Sequence, residues 1–427
     1  MTSSDIRQKF LDFFKARGHA IVPSSSLIPD DPSVLLTTAG MQQFKKYFTG
    51  ELDFAKTYPE KIGAASIQKS FRTSDIDEVG DESHLTFFEM LGNFSFGGYF
   101  KKEAIGYAHE FITKEMGLEI SHVTIFGGDD AVGVPKDKES RAIWKSLDAK
   151  LDIREEGMDD VFWGPTGNAG PCGPTTEIYC KNAAGQDVEV WNIVFNQYFY
   201  SGSREELNAG ASGKKLEPLR TPGVDTGMGL ERLAMIVQGK KNIFETDLFA
   251  PIMALVPEAL PMRITRIVAD HARAASFLLA DGVRPSNKEA GYVLRRLMRR
   301  AFVYEHLHHL RPDVFEELMK MVIARYGEFY PELAANRNES INAMWEEHER
   351  FGKTLGRGIK ELEKLQEVST ASAFTLYESY GLPFEVIREL GGARAEGLRR
   401  EDFDREMRKH QAVSRAGAGK KFSAGKE

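Results

Sequence analysis

The sequence predicts an α+β fold: an antiparallel sheet flanked by helices over residues 1–238, a mainly α-helical second domain over 239–398, and a charged, Gly/Ala-rich tail or linker over 399–427. Three features predict it. Between Gly18 and about residue 235, short β-rich runs (AIVPSSSLI, HLTFFEM, VEVWNIVFNQYFY) alternate with Gly, Pro and Asp turns, a texture of antiparallel pairing rather than βαβ repeats. From about residue 240 apolar residues recur at three- and four-residue steps, the period of a helix face. The closing segment SRAGAGKKFSAGKE is too rich in small and charged residues to support a core.

Each element has its own signal. Ser4 is a candidate N-cap, followed by Ile6, Phe10, Phe13 and Phe14 at helical spacing, so residues 4–17 form an amphipathic helix that Gly18 ends. A further helix is expected around 101–115. In VEVWNIVFNQY the two-residue period puts Val190, Asn192, Val194 and Asn196 on one face and Trp191, Ile193 and Phe195 on the other. The first of these faces suits a pocket for a small substrate. Farther on, Ile264, Ile267, Val268 and His271, then Tyr292, Leu294, Leu297, Met298 and Ala301, mark two helices. The stripe Ile341, Trp345, His348, Phe351, Leu355, Ile359, Leu362 and Leu365 predicts a long helix over 338–367, its apolar face packed in a core.

Composition narrows the class. A 42% hydrophobic and 28% charged chain is an ordinary globular protein, not a disordered or disulfide-built one. No apolar run approaches a bilayer span, and the opening MTSSDIRQKFLDFF is charged rather than signal-like, so the expected location is cytosolic. Cys172 and Cys180 lack the Cys-x-x-Cys or His partners of a zinc knuckle and are expected as free thiols, with no structural zinc. A net charge of −7 disfavours unspecific adhesion to nucleic acid, although a local basic face can still bind RNA.

The strongest chemical signal is VDTGMGLERL, residues 224–233. Arg232 stands where a dinucleotide fingerprint needs its third glycine, and no P-loop pattern occurs. Glycines alternating just before a Glu-Arg pair instead let a flat base approach a strand, with the arginine supplying a cation for stacking or phosphate contact. Upstream, IQKSFRTSDIDEVGDESHLTFFEMLGNFSFG reads as strand, loop, strand, with Arg72 ending the first strand. A guanidinium there can bond an α-phosphate twice; the alternative for Arg72 is a surface salt bridge. In PSNKEAGYVLRRLMRRA, Arg295 and Arg299 stack along one helical line and Arg296 and Arg300 along the next, either a phosphate-binding stripe or a solvated face.

The two elements around Arg232 and Arg72 resemble motifs 3 and 2 of class II aminoacyl-tRNA synthetases. The runs HLTFFEMLGNFSFG, GPCGPTTEIY, VWNIVFNQY, VDTGMGLER, ADHARAASFLLADG and PSNKEAGYVLRRLMRRA together resemble the alanyl-tRNA synthetases, from the first helix to about residue 390. The resemblance implies a class II catalytic domain over 1–238 and a domain for the tRNA acceptor stem over 239–398. It implies activation of L-alanine with ATP, Mg²⁺ on the phosphates, and transfer of alanine to tRNA(Ala).

It also implies residue roles. Arg72 would stabilise the α-phosphate and Arg232 the base or distal phosphates. Val190, Trp191 and Asn192 would hold ATP and alanine. Val194 would line the methyl pocket, Asp225 accept the substrate ammonium, Trp163 wall the pocket near ATP, and Gly229 admit the nucleotide. For tRNA, Asn287 and Glu378 would read a G·U wobble pair from the minor groove, where the guanine amine is the exposed donor, with Arg295, Arg296 and Arg299 on the phosphates. Adenylate formation of this kind rests on positioning and charge neutralisation, without a covalent enzyme intermediate.

The sequence departs from the family pattern at three points. FRTSDIDEVG lacks the Gly-Gly-Lys insert that often follows the motif 2 arginine, His84-Leu85 replaces the usual His-His, and Glu378 stands where aspartate is more common. The family's zinc-bearing editing domain would begin about where these residues stop, so serine is expected to be activated and left uncleared. A hydrophobic pocket rejects an added hydroxyl only about a hundredfold. Two other readings are a non-catalytic tRNA-binding module and an alanine-activating ligase for a carrier protein; the expected state is a monomer.

Overall fold

Thr2 and Asp5 start the first helix. The Thr2 hydroxyl accepts the Asp5 backbone N–H at 3.1 Å and the Asp5 carboxylate accepts that of Thr2 at 2.8 Å, a reciprocal capping box. The helix α1 (Ser3–Ala16) thus begins ahead of Ser4, because the aspartate that closes the box lies three residues after Thr2. Ile6, Phe10 and Phe14 are fully buried, and Gly18, at φ 81°, turns the chain out of the helix. The computed structural model describes residues 1–210, 213–258 and 260–410, packed as two compact units, Met1–Ala254 and a second beginning at Leu255.

The first unit is built on a nine-stranded sheet. Its strands are β1 (His19–Ile21), β2 (Gly63–Phe71), β3 (Phe87–Ser95), β4 (His122–Phe126), β5 (Ile153–Glu156), β6 (Phe162–Trp163), β7 (Gly170–Lys181), β8 (Asp187–Tyr200) and β9 (Glu217–Gly229). They run in the order β1-β2-β3-β9-β8-β7-β4-β5, with β6 paired to β7 alone. The central pairs are antiparallel as expected, but β1–β2 and β4–β5 are parallel, so the sheet is mixed. Both exceptions join a short outer strand whose chain must cross over before pairing.

Alternation along β8 sorts its side chains between two environments. Trp191 turns to the helical side, where its ring meets Phe111 at 5.7 Å and Phe10 at 6.2 Å, in a cluster made by α1 and the turn Phe111–Glu115 that follows helix α2 (Lys101–Glu110). Burial of these aromatic faces contributes to the unit's hydrophobic stabilisation, at about 25 cal/mol per Å² of apolar surface. Val190, Asn192 and Val194 point to the other face, where the cavity lies.

The first unit extends past residue 238. After helix α3 (Leu230–Val237), Gln238 and Asp247 bond each other at 2.7 and 3.0 Å, the Asp247 carboxylate caps the Ser3 N–H at 2.8 Å, and Phe244, Phe249 and Ile252 are buried. These bonds hold the segment to Ala254 in the first unit.

In the second unit, helix α4 (Met262–Ala280) is buried on nearly all sides. Around it run α5 (Glu289–Leu307), α6 (Val314–Tyr326), α7 (Arg337–Lys364), α8 (Thr370–Tyr380) and α9 (Phe384–Gly391). The long helix predicted over 338–367 is α7, with Phe351, Leu355, Ile359 and Leu362 in its buried face. Residues 400–410, expected within the tail, are helical, because Phe403 is fully buried against Phe384 and Tyr377 at 5.1 and 5.6 Å. The remainder of that tail, 411–427, lies outside the described residues. Among the described residues no helix is long and apolar enough to cross a membrane.

Candidate active site

Arg72, Trp163, Val190, Asn192, Val194, Asp225, Gly229 and Arg232 line one cavity of about 280 Å³ in the first unit. They come from the end of β2, from β6, from the outward face of β8 and from β9 with its continuation into α3. Trp191 does not join them: the same two-residue period that exposes Val190 and Asn192 to the cavity sends it into the aromatic core.

Register sets the floor of the site. In the β8–β9 pair Val194 stands opposite Asp225 and Asn192 opposite Gly227; in the β7–β8 pair Glu177 stands opposite Asn192. The Asp225 carboxyl is buried and meets no hydrogen-bond donor among the described residues. Burial alone pushes it from 3.8 up to about 7. A carboxylate held without a partner in an apolar wall is a site that a cation would complete.

Glu177 was not singled out from the sequence. It accepts the Asn192 Nδ2–H at 2.9 Å, the Tyr179 hydroxyl at 2.9 Å and the Thr124 hydroxyl at 3.1 Å. With its amide nitrogen turned to Glu177, Asn192 Oδ1 is buried and without a partner among the described residues. Burial, then the charge of Glu189, push Glu177 up to about 7 against the two hydroxyl bonds. The available signal was its place in GPTTEIY, where alternation puts it on the face shared with Asn192.

The cations are held differently from one another. The Arg72 guanidinium lies over the Phe88 ring at 5.0 Å and has no ion-pair partner among the described residues, which removes the salt-bridge alternative. Burial lowers its pKa, and the like charges of Arg232 and Arg204 act the same way, against Asp75 and Glu189. Arg232 donates to the Glu189 backbone carbonyl at 3.2 Å and to its carboxylate at 3.1 Å, so its charge is matched. Glu231, its neighbour, instead accepts the Glu89 N–H at 3.2 Å, while Arg7 grips the Glu89 carboxylate at 2.6 and 2.8 Å. That chain ties α3 to β3 and α1, and it aims Arg232 toward β8.

Glycine plays two roles here. A Cβ on Gly227 would come within 3.0 Å of Met90 Sδ, so the protein itself fills that space. A Cβ on Gly229 would meet only the Arg232 stem at 3.8 Å, leaving the approach to that position clear for a ligand. Among the described residues no group of three or more His, Cys, Asp or Glu side chains is placed to hold a metal. Cys172 and Cys180 are buried thiols, both pushed up to about 12 by burial.

In the second unit the predicted residues separate. Asn287 and Glu378 are exposed, Asn287 accepting from Arg295 and Glu378 paired with His410 at 2.7 Å. The arginines are not an open stripe. Arg295 and Arg299 converge on Glu347 of α7 at 3.1 and 2.6 Å, Arg299 also donates to the Gly381 carbonyl at 3.0 Å, and Arg296 pairs with Glu385 of α9. Both carboxylates are buried; burial would raise Glu385, but Arg296 and Arg400 hold it well below the carboxylate range. The helix is packed on both basic lines, and guanidinium groups in such an interface require counter-charges.

Comparison with known proteins adds to this geometry. Residues 5–426 match the family model described as tRNA synthetases class II (A). The chain is 43% identical to an alanine–tRNA ligase of Rubrobacter xylanophilus over 459 aligned residues, covering 97% of this chain and 50% of that protein. It is 40% identical to one of Dehalococcoides mccartyi, covering 99% and 50%, and 39% identical to one of Treponema pallidum, covering 99% and 74%. The chain therefore spans about half the length of the first two relatives.

Proposed function

Because the chain belongs to the class II tRNA synthetases, we propose that it joins L-alanine to ATP as alanyl-adenylate, releasing pyrophosphate, and passes the alanyl group to the 3′ end of tRNA(Ala). The observation that carries this reading is Asp225, a buried carboxylate without a partner among the described residues, which stands opposite Val194 and lines the same cavity as Asn192, whose Oδ1 is likewise unpartnered among them. Two acceptors and one methyl-sized apolar wall suit an α-ammonium bearing a small side chain.

In this reading Asp225 and Asn192 Oδ1 receive the ammonium and Val194 borders the methyl group. Glu177 keeps the Asn192 amide turned so that its oxygen faces the substrate. The amino-acid carboxylate oxygen forms a bond to the α-phosphorus as the bond to pyrophosphate breaks. Arg72, seated over Phe88 and without an ion pair among the described residues, neutralises the oxygens of that phosphate. Gly229 leaves clearance for the adenosine, Trp163 and Val190 wall it, and Arg232, fixed by Glu189, takes the base side. Mg²⁺ supplies charge neutralisation when bound on the phosphates. Trp191 supports the strand from behind. For tRNA, Asn287 and Glu378 offer an amide and a carboxylate to the acceptor-stem minor groove, and the arginines of α5 form the scaffold that holds Asn287.

The test is ATP–pyrophosphate exchange with alanine, glycine and serine, followed by charging of tRNA(Ala). Exchange strongest with alanine supports the reading; exchange indifferent to the amino acid removes it.

A further inference from the structure

Arg204 was not marked by the sequence, yet it lines the cavity. It opens the short helix Arg204–Ala209 in the connection between β8 and β9. Its guanidinium lies over the Trp163 ring at 5.1 Å, and Gly164 makes room for its stem, since a Cβ there would fall 2.6 Å from Arg204 Cγ. Its single described hydrogen bond is a long one, 3.5 Å to the Asp159 carbonyl, and among the described residues it has no ion-pair partner. Two cavity arginines, Arg72 and Arg204, thus share one arrangement: each is seated on an aromatic face, which positions the cation while leaving most of its N–H donors unspent among the described residues. Arg232 differs, because Glu189 already matches its charge.

We propose that Arg204 is a phosphate-binding residue that acts with Arg72, taking the two terminal phosphates of ATP and the pyrophosphate they become. The inference rests on the ATP-dependent reading above. With Arg72 committed to the α-phosphate and Arg232 to Glu189, Arg204 is the cavity cation left to meet the charge of the departing group.

The test is calorimetric titration of R204A and R204K with Mg·ATP, AMP and inorganic pyrophosphate, none of which requires amino-acid activation. Loss of one charge-assisted contact predicts roughly ten- to a hundredfold weaker binding of ATP and pyrophosphate in R204A, partial recovery in R204K, and unchanged AMP binding. Equal weakening for AMP would reduce Arg204 to a support for Trp163, and unchanged ATP affinity would leave it no role; either overturns the proposal. Failure of the parent reading shows separately, as absence of alanine-dependent exchange in the unsubstituted chain.

Discussion

Val194 and Asp225 face each other across the β8–β9 pair, so one cross-strand position sets an apolar side chain beside a buried carboxylate. In the proposed reading those two groups separate the methyl from the ammonium of one amino acid, and each carries its own prediction.

Asp225→Ala removes the counter-charge for the ammonium. Alanine KM should rise roughly ten- to a hundredfold while ATP KM holds, measured by pyrophosphate exchange. An equal rise for ATP would place Asp225 elsewhere in the chemistry.

The same carboxyl makes stability depend on pH. Burial raises it from 3.8 to about 7, so between those values the folded chain keeps a proton that the unfolded chain has lost. Its contribution is fully present below about 3.8 and is lost as pH rises through about 7. Asp225→Asn should therefore be more stable than the parent at pH 8, by on the order of a few kcal/mol, and melt at a higher temperature, with the gap closing toward pH 4. Calorimetric melting without ligands checks this, and an asparagine variant less stable at pH 8 contradicts it.

Gly229 and Gly227 should respond in opposite ways to alanine. Gly229→Ala meets ordinary clearance at φ −67°, so it should leave the fold intact or gain about 0.4–1 kcal/mol, while weakening ATP use. Gly227→Ala presses on Met90 and should lower the melting temperature. Thermal melts paired with ATP KM values separate the two.

Substitutions at Glu347 and Asn287 should divide stability from recognition. Glu347→Ala strands the Arg295 and Arg299 charges in a helix interface and should cost about 3–5 kcal/mol of stability. Asn287→Ala is exposed and should leave melting unchanged while lowering kcat/KM for tRNA by about 1–3 kcal/mol, with pyrophosphate exchange unaffected. Normal charging by the Asn287 variant would remove Asn287 as a reader of the acceptor stem.

What the sequence revealed follows from the range of the forces involved. The apolar face of α1, the two faces of β8 and the stripe of α7 are local periodicities, readable within a few turns of chain, whereas the cap was read at Ser4 and lies at Thr2. The parallel outer pairs were hidden because direction is set by crossovers, not by strand composition. The arginines of α5 read as a basic stripe because Glu347 and Glu385, which neutralise them, arrive only through tertiary packing. Arg204 was invisible for the same reason: nothing near it in sequence announces Trp163.

The most direct measurement is a crystal structure of the chain with a non-hydrolysable alanyl-adenylate analogue. The analogue's ammonium is expected on the Asp225 carboxylate and Asn192 Oδ1, with its methyl group against Val194. An amino group bound away from Asp225, with that carboxylate still unpartnered, would contradict it.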